Sequence, residues 1–320
     1  MLAIRVHEFG GPEVLKWEEV DVPPVGPGQV RIRVHAVGVN PVETYIRAGT
    51  YARLPTLPYT PGTDAAGTVE ALGEGITDLV LGDPVYTFGS VSGAYAELAV
   101  CNRAQVYRLP PSSSFADGAS LGVAGATAWR AIFQKGQAIA GEHLLVHGAS
   151  GGVGLIAVQL ARAAGLRVVG TGGTEEGRRR ALALGAHLVL DHRADGYMEK
   201  ALASTGGRGF DVIVEFLANV NLARDMTVLA PRGRIVVVGN RGQIEIDPRQ
   251  LMARDASITG MSLFNATEAE LRQVHAALYA ALEGGILTPR VGRHMSLSEA
   301  ADAHREVSRP GSGGKIVLTP

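Results

Sequence analysis

Between residues 30 and 36, Val30, Ile32, Val34 and Ala36 alternate with Arg31, Arg33 and His35. A period of two sends the apolar set to one face and the cations to the other, so "QVRIRVHAVGV" at 29–39 is predicted to be a half-buried strand. Other short strand-like pieces, "AAGTVEALG" at 65–73, "DPVYTF" at 83–88 and "GAYAELAV" at 93–100, follow between glycines and prolines up to about Pro111. This N-terminal region reads as a β-rich barrel or sandwich.

Beyond the turn-rich "PPSSSFADGASLG" at 110–122 the pattern changes. Six apolar runs appear, "LLVHG" at 144–148, "RVVGT" at 167–171, "HLVL" at 187–190, "DVIVEF" at 211–216, "RIVVVG" at 234–239 and "SITGMSLF" at 257–264, mostly separated by helix-period segments. Near-continuous Val/Ile/Leu strands alternating with helices predict a parallel sheet covered on both faces, and six of them suit a doubly wound, Rossmann-type α/β fold. The tail carries one amphipathic helix, "EAELRQVHAALYAALEGG", and closes in the strand-like "SGGKIVLTP", which is placed to return to the first domain. The expected domains are 1–123 with 265–320, and 124–264.

Composition narrows the function classes. At 320 residues two cores are expected. A formal charge of −1 and 5% aromatic residues give no basic stripe or stacking ladder for nucleic acid. No apolar run reaches the ~20 residues of a membrane span, and "MLAIRVHEFGG" lacks a signal-peptide core. Cys101 is the single cysteine, so one chain builds neither a disulfide nor a thiolate zinc cluster. A cytoplasmic protein is expected.

The chemistry centres on "VHGASGGVGLIAVQLARAAG" at 146–165, where Gly148, Gly151, Gly152 and Gly154 end a strand and open a helix with an apolar stripe of Val153, Ile156, Ala157, Leu160, Ala161 and Ala164. In the G-x-G-x-x-G register alanine stands first, as Ala149, Gly151, Gly154. The helix N-terminus offers unpaired N–H groups and a positive dipole end to a diphosphate. The second strand ends in Thr171, Gly172 and Gly173 rather than the acid that accepts from an NAD ribose. Arg178, Arg179, His192 and Arg193 offer positive charge for a 2′-phosphate, so NADPH is expected over NADH. His147, at the strand's end, reads as a buried, hydrogen-bonded core residue.

"FGGPEVL" at 9–15, "GVNPVETYIRAGTY" at 38–51, "LPYTPGTDAAG" at 57–67, "VHGASGGVG" at 146–154, "GTEEG" at 173–177, "LANVNL" at 217–222 and "VVVGNRGQIEI" at 236–246 run through nearly the whole chain. Together they resemble the zeta-crystallin-like NADPH:quinone oxidoreductases of the medium-chain dehydrogenase/reductase superfamily. The resemblance implies a GroES-like catalytic domain with a Rossmann domain, and a homodimer or homotetramer formed through Rossmann edge strands, with "SITGMSLF" as the candidate edge.

By resemblance, Tyr45 and Asn40 lie near the nicotinamide and are the catalytic candidates. Ser150, Gly151, Gly152 and Val153 meet the pyrophosphate, and Gly173 and His192 border the adenosine phosphate. Asn221, then Val238, Gly239, Asn240 and Arg241, then Met261, Ser262 and Leu263 line the nicotinamide side, and Lys315 reaches the cofactor. In the zinc alcohol dehydrogenases a cysteine follows "GV" and a histidine sits in Gly-His-Glu. Asn40 and Gly62-Thr63-Asp64 hold those places here, so no metal is expected.

The implied reaction is quinone reduction with NADPH, by hydride or by single electrons giving semiquinones, with Tyr45 or a water on Asn40 donating a proton. The alternative is reduction of a conjugated C=C in an enoyl thioester or alkenal. RNA binding or a structural lens-type role, also found among zeta-crystallin relatives, finds no support in the charge pattern.

Overall fold

The structure, a computed structural model, describes residues 1–309 and 313–320. Contacts divide the chain into two compact units, Met1–Val123 with His275–Pro320, and Ala124–Val274. The division falls inside the helix Glu268–Glu283, whereas the expected boundary at 264/265 stands ahead of it.

In the first unit the alternating segment is the strand Gln29–Val39, with Val30, Ile32, Val34 and Ala36 buried and Arg33 and His35 exposed. It pairs antiparallel with Asp64–Leu72, Leu98–Asn102 and Lys315–Thr319. The closing strand therefore returns to the N-terminal sheet, although Ser312, at the head of "SGGKIVLTP", lies outside the described residues. Val291–Ser296, Pro84–Thr87 and Val106–Arg108 complete this seven-stranded sheet.

The second unit holds six strands, β1 (His143–Val146), β2 (Arg167–Thr171), β3 (Leu188–Leu190), β4 (Phe210–Glu215), β5 (Leu229–Val237) and β6 (Ser257–Gly260). All pairs are parallel, in the order β3-β2-β1-β4-β5-β6. Strand order reverses between β1 and β4, and in such sheets ligands bind beyond the carboxyl ends at that switch point. β6 lies at the sheet edge. The helix Gly152–Ala163 after β1 is buried on more than the expected stripe: Leu155 and Val158 are buried too, while Val153 is half-buried. A helix lying over a parallel sheet beside another helix has little free surface, which removes the polar face.

Candidate active site

The glycine turn is built by exchange of side-chain volume between strands. Gly148 has φ +59°, the left-handed conformation that glycine adopts without strain, and starts the turn. Ala149, in the place of the first fingerprint glycine, is fully buried; its Cβ is 2.5 Å from where a Cβ on Gly170 of β2 would stand, so the glycine at 170 makes room for it. A Cβ on Gly154 would come within 2.6 Å of the Ala149 Cα and closer still to the Gly148 carbonyl, so helix and strand pack too tightly there for any side chain. Gly152 differs: among the described residues nothing lies within 4 Å of a Cβ built on it. Gly151 caps the helix in an extended conformation, leaving the first-turn N–H groups for an anion. Thr171 locks this turn from β2: its Oγ1 accepts from Gly148 N at 3.1 Å and its carbonyl from Ala149 N at 2.8 Å.

Beyond β2 and β3, Gly173 faces His192 and Arg193, whose side chains lie 3.1 Å from a Cβ built on it. Burial, then the Arg193 charge, lowers the His192 pKa below its ordinary value. Arg178 is turned inward: it donates to Asp191 at 2.9 Å and to the Gly172 carbonyl at 3.1 Å. Arg179 stands on the exposed helix face, 3.8 Å from Glu175. Of the four basic side chains marked in the sequence, His192 and Arg193 are the ones brought to Gly173.

The nicotinamide-side candidates gather beyond β4, β5 and β6. Glu215 ends β4; its Oε1 accepts from Leu217 N and, at 3.2 Å, from Asn221 Nδ2. The Glu215 carbonyl accepts from Val238 N at 2.8 Å, and Arg241 N donates to Asn219 Oδ1 at 3.0 Å. Asn240 Nδ2 donates to the Gly242 carbonyl at 2.6 Å. A Cβ on Gly239 would meet the Phe216 backbone, and Met261 N donates to the Val237 carbonyl at 2.9 Å, leading into Ser262 and the turn at Leu263–Asn265.

In the first unit, Asn40 and Lys315 meet each other. Lys315 Nζ donates to Asn40 Oδ1 at 2.5 Å and to Asp64 Oδ2 at 2.9 Å, while Asn40 Nδ2 donates to Asp64 Oδ2 at 3.0 Å. All three are buried. Asn40 caps the helix Pro41–Arg47, and its N–H donates to Glu43 Oε2 at 3.0 Å. Burial raises the Glu43 pKa, against the bonds from Asn40 and from the Tyr95 hydroxyl, 2.7 Å away. Tyr45, on the same helix, is 37% exposed. A cleft of 1410 Å³ on this unit is lined by Arg5, Ile46, Arg53, Tyr59, Thr63 and Ser92 among others.

This chain matches the zinc-binding dehydrogenase family over residues 152–279 and the alcohol dehydrogenase GroES-like domain over 26–111. The quinone oxidoreductase of Rattus norvegicus is 51% identical over 320 residues, covering 99% of this chain and 97% of the rat protein. The chain belongs to the quinone oxidoreductase family. Among solved structures, the Escherichia coli quinone oxidoreductase complexed with NADPH matches with a TM-score of 0.89 at 30% identity, covering 100% of both chains. A 2-haloacrylate reductase from a Burkholderia species is 33% identical, over 100% of this chain and 99% of its own.

The zinc that gives the wider dehydrogenase family its name does not fit the residues of this chain. At the places that the family resemblance gives to two zinc ligands stand Asn40 and Thr63, and the Lys315 ammonium is already bonded to Asn40 and Asp64. A divalent ion there would face a fixed positive charge with no thiolate or imidazole to hold it. Cys101 is buried on the strand Leu98–Asn102, its thiol pushed up to about 12 by burial.

Several residues of this site escaped the sequence reading. Asp64, Glu43 and Tyr95 hold the Asn40 helix, Gly170 makes room for Ala149, and Glu215 holds Asn221. Asp64 and Tyr95 pair across long separations that no local period marks, whereas Glu43 stands three residues after Asn40, a capping-box spacing that could have found it, and Glu215 six before Asn221. Asp64 lies 251 residues from Lys315.

Proposed function

We propose that this chain is an NADPH-dependent quinone reductase that works without a metal. The observation that carries the reading is the open glycine turn at the switch point of the six-stranded sheet, where Gly152 leaves its surroundings clear to 4 Å. Ser150, Gly151, Gly152 and Val153 would hold the pyrophosphate. Gly173, His192 and Arg193 would receive the 2′-phosphate; Asn221, Val238–Arg241 and Met261–Leu263 would border the nicotinamide.

Bound NADPH supplies the reducing equivalents, and the protein orients and screens. Lys315, Asp64 and Asn40 fix the start of the helix that carries Tyr45. With both polar atoms of the Asn40 side chain engaged, Tyr45 is the better placed proton donor, moving its hydroxyl proton to the oxygen of the reduced ring. The exposed edge β6 supports a homodimer or homotetramer formed by pairing this strand between copies, and the composition supports residence in the cytoplasm.

The test is NADPH oxidation by the purified protein with an ortho-quinone, compared with NADH and with a crotonyl thioester. Fast loss of NADPH with the quinone, slower loss of NADH and little with the thioester are expected. The match to a haloacrylate reductase favours a second reading, reduction of a conjugated C=C; turnover with the thioester alone would replace the first reading by it.

A further inference from the structure

One cluster in the nucleotide unit reaches the site contacts only through Glu215. His147 follows β1, Glu215 ends β4, and Asp225 ends the helix Ala218–Asp225; all three are buried, with one polar atom of each inside a span of 4.8 Å. His147 Nε2 lies 2.7 Å from Asp225 Oδ1 and 3.5 Å from Glu215 Oε2. Its Nδ1 lies 3.4 Å from Thr171 Oγ1, the atom that accepts from Gly148 N. At the other end, Glu215 holds Leu217 N and Asn221. A polar chain thus runs from the glycine turn to the nicotinamide-side loop.

The charges in this chain do not balance. Two carboxylates face one imidazole, so even with His147 protonated the ionised cluster carries −1 in a site closed to water. Glu215 Oε2 and Asp225 Oδ2 are buried and, among the described residues, have no hydrogen-bond partner. Carboxylate oxygens carry lone pairs alone, so a proton is the missing piece. Placed on Glu215, it neutralises the cluster and gives Asp225 a donor. Burial first, then the Asp225 charge against that of His147, pushes Glu215 up to about 7. Burial lowers His147, but the Asp225 bond and both acid charges outweigh it and hold its pKa above the ordinary value. The other charged or titratable groups nearby are Tyr197, which is engaged by Arg224, and His192, whose charge and that of His147 oppose each other.

We propose that Glu215 is a positioning residue whose exchangeable proton ties NADPH binding to proton uptake, the protonated acid holding Asn221 and the Leu217 amide in their binding positions. The inference rests on the reading of this unit as an NADPH site. Phosphates arriving at the far end of the polar chain favour the protonated cluster, and by linkage protonation strengthens binding to the same extent.

Calorimetric titration of NADPH into the full-length protein, in two buffers of different ionisation enthalpy at pH 7, measures the uptake. About half a proton per site is expected, with Kd rising by up to about tenfold from pH 6 to pH 8. Glu215→Gln keeps a carbonyl for Asn221 and Leu217 and offers a fixed N–H to Asp225. Its uptake should fall by about half a proton and its pH profile flatten. His192 and the 2′-phosphate are unchanged in that variant and contribute equally to both proteins, so equal uptake in E215Q and the wild type overturns the proposal, as does binding without uptake in the wild type. Absence of any binding overturns the NADPH reading and this inference with it. Infrared difference spectra of the wild type give an independent check should E215Q not fold. NADPH addition at pH 7 should gain a protonated-carboxyl band, and its absence counts against Glu215.

Discussion

Each unit buries a charged network beneath its candidate residues, and the two are balanced differently. In the first, every carboxylate oxygen has a donor: Asp64 Oδ2 accepts from Lys315 and Asn40 and Oδ1 from Val123 N at 2.8 Å, while buried Glu43 accepts from Asn40 N, Thr63 N and the Tyr95 hydroxyl. In the second, two carboxylates share one imidazole and, among the described residues, each keeps an oxygen without a hydrogen-bond partner. A network whose buried oxygens all have donors acts as a fixed brace. One with buried oxygens that lack a donor is satisfied by holding a proton, so it responds to pH and to nearby charge.

The largest effect should come from breaking the matched pair. Lys315→Met leaves the Asp64 carboxylate buried without a cation, and losing one partner of a buried pair costs about 3–5 kcal/mol. Urea unfolding should record that loss, with part of it recovered in the Lys315→Met, Asp64→Asn double variant. A loss under about 1 kcal/mol would mean that the pair is not a brace. Next, Gly154→Ala drives a methyl into the Ala149 backbone and should weaken NADPH binding roughly 100-fold, about 2.7 kcal/mol. Gly152→Ala, with open space around its Cβ, should leave the unfolding midpoint within a degree while also weakening NADPH. Equal destabilisation by both would erase the distinction between packing glycine and cradle glycine.

Much of the frame was legible in the sequence because it rests on local periods. The alternation at 29–36 and the six Val/Ile/Leu runs each report burial of a strand's own faces, and all became strands, although "SITGMSLF" does so only over Ser257–Gly260 and turns at Leu263–Asn265. Val291–Ser296 escaped, since "VGRHMS" is mostly exposed and shows neither alternation nor an apolar run. The helix Ala300–Val307 in the same tail went unseen as well. The resemblance placed Asn40 and Lys315 at the cofactor but gave no hint that they bond to each other. His147 read as a hydrogen-bonded core residue, which it is, yet Asp225 lies 78 residues on and Glu215 ends another strand. Such pairings come from sheet order, which a single sequence encodes through long-range packing.

The units should also separate under pH. His275 and His304 in the first unit are buried, and burial lowers both to about 3, helped at His304 by the Arg47 charge. A depressed histidine contributes stability above its unfolded pKa near 6.5, and that stability is lost as pH falls toward 3. The limiting loss is about 1.4 kcal/mol per histidine per pH unit, so lowering pH from 6.5 to 5.5 should remove up to roughly 2 kcal/mol. Glu215 runs the other way. Its pKa is raised in the fold, so its contribution is complete below its unfolded pKa of about 4.5 and is lost as pH rises through about 7. Hydrogen exchange, corrected for intrinsic rate, should show Leu98–Asn102 losing protection on acidification while Phe210–Glu215 holds. Parallel loss in both strands would contradict the assignment of opposite signs.

The smallest effect concerns Tyr45, which shares a helix with the braced residues but not their burial. Tyr45→Phe removes one oxygen from a side chain that is 37% exposed, so stability should change by less than about 0.5 kcal/mol. If its hydroxyl supplies the proton to the reduced quinone, kcat should fall by at least about tenfold, short of the roughly 100-fold or more of a typical general acid because water reaches this exposed position and substitutes in part. The NADPH Kd should move less than twofold. A change in Kd with kcat intact would make Tyr45 a binding contact instead. No change in either would leave the proton to solvent, and the braced helix would then serve to shape the unit rather than to present a donor.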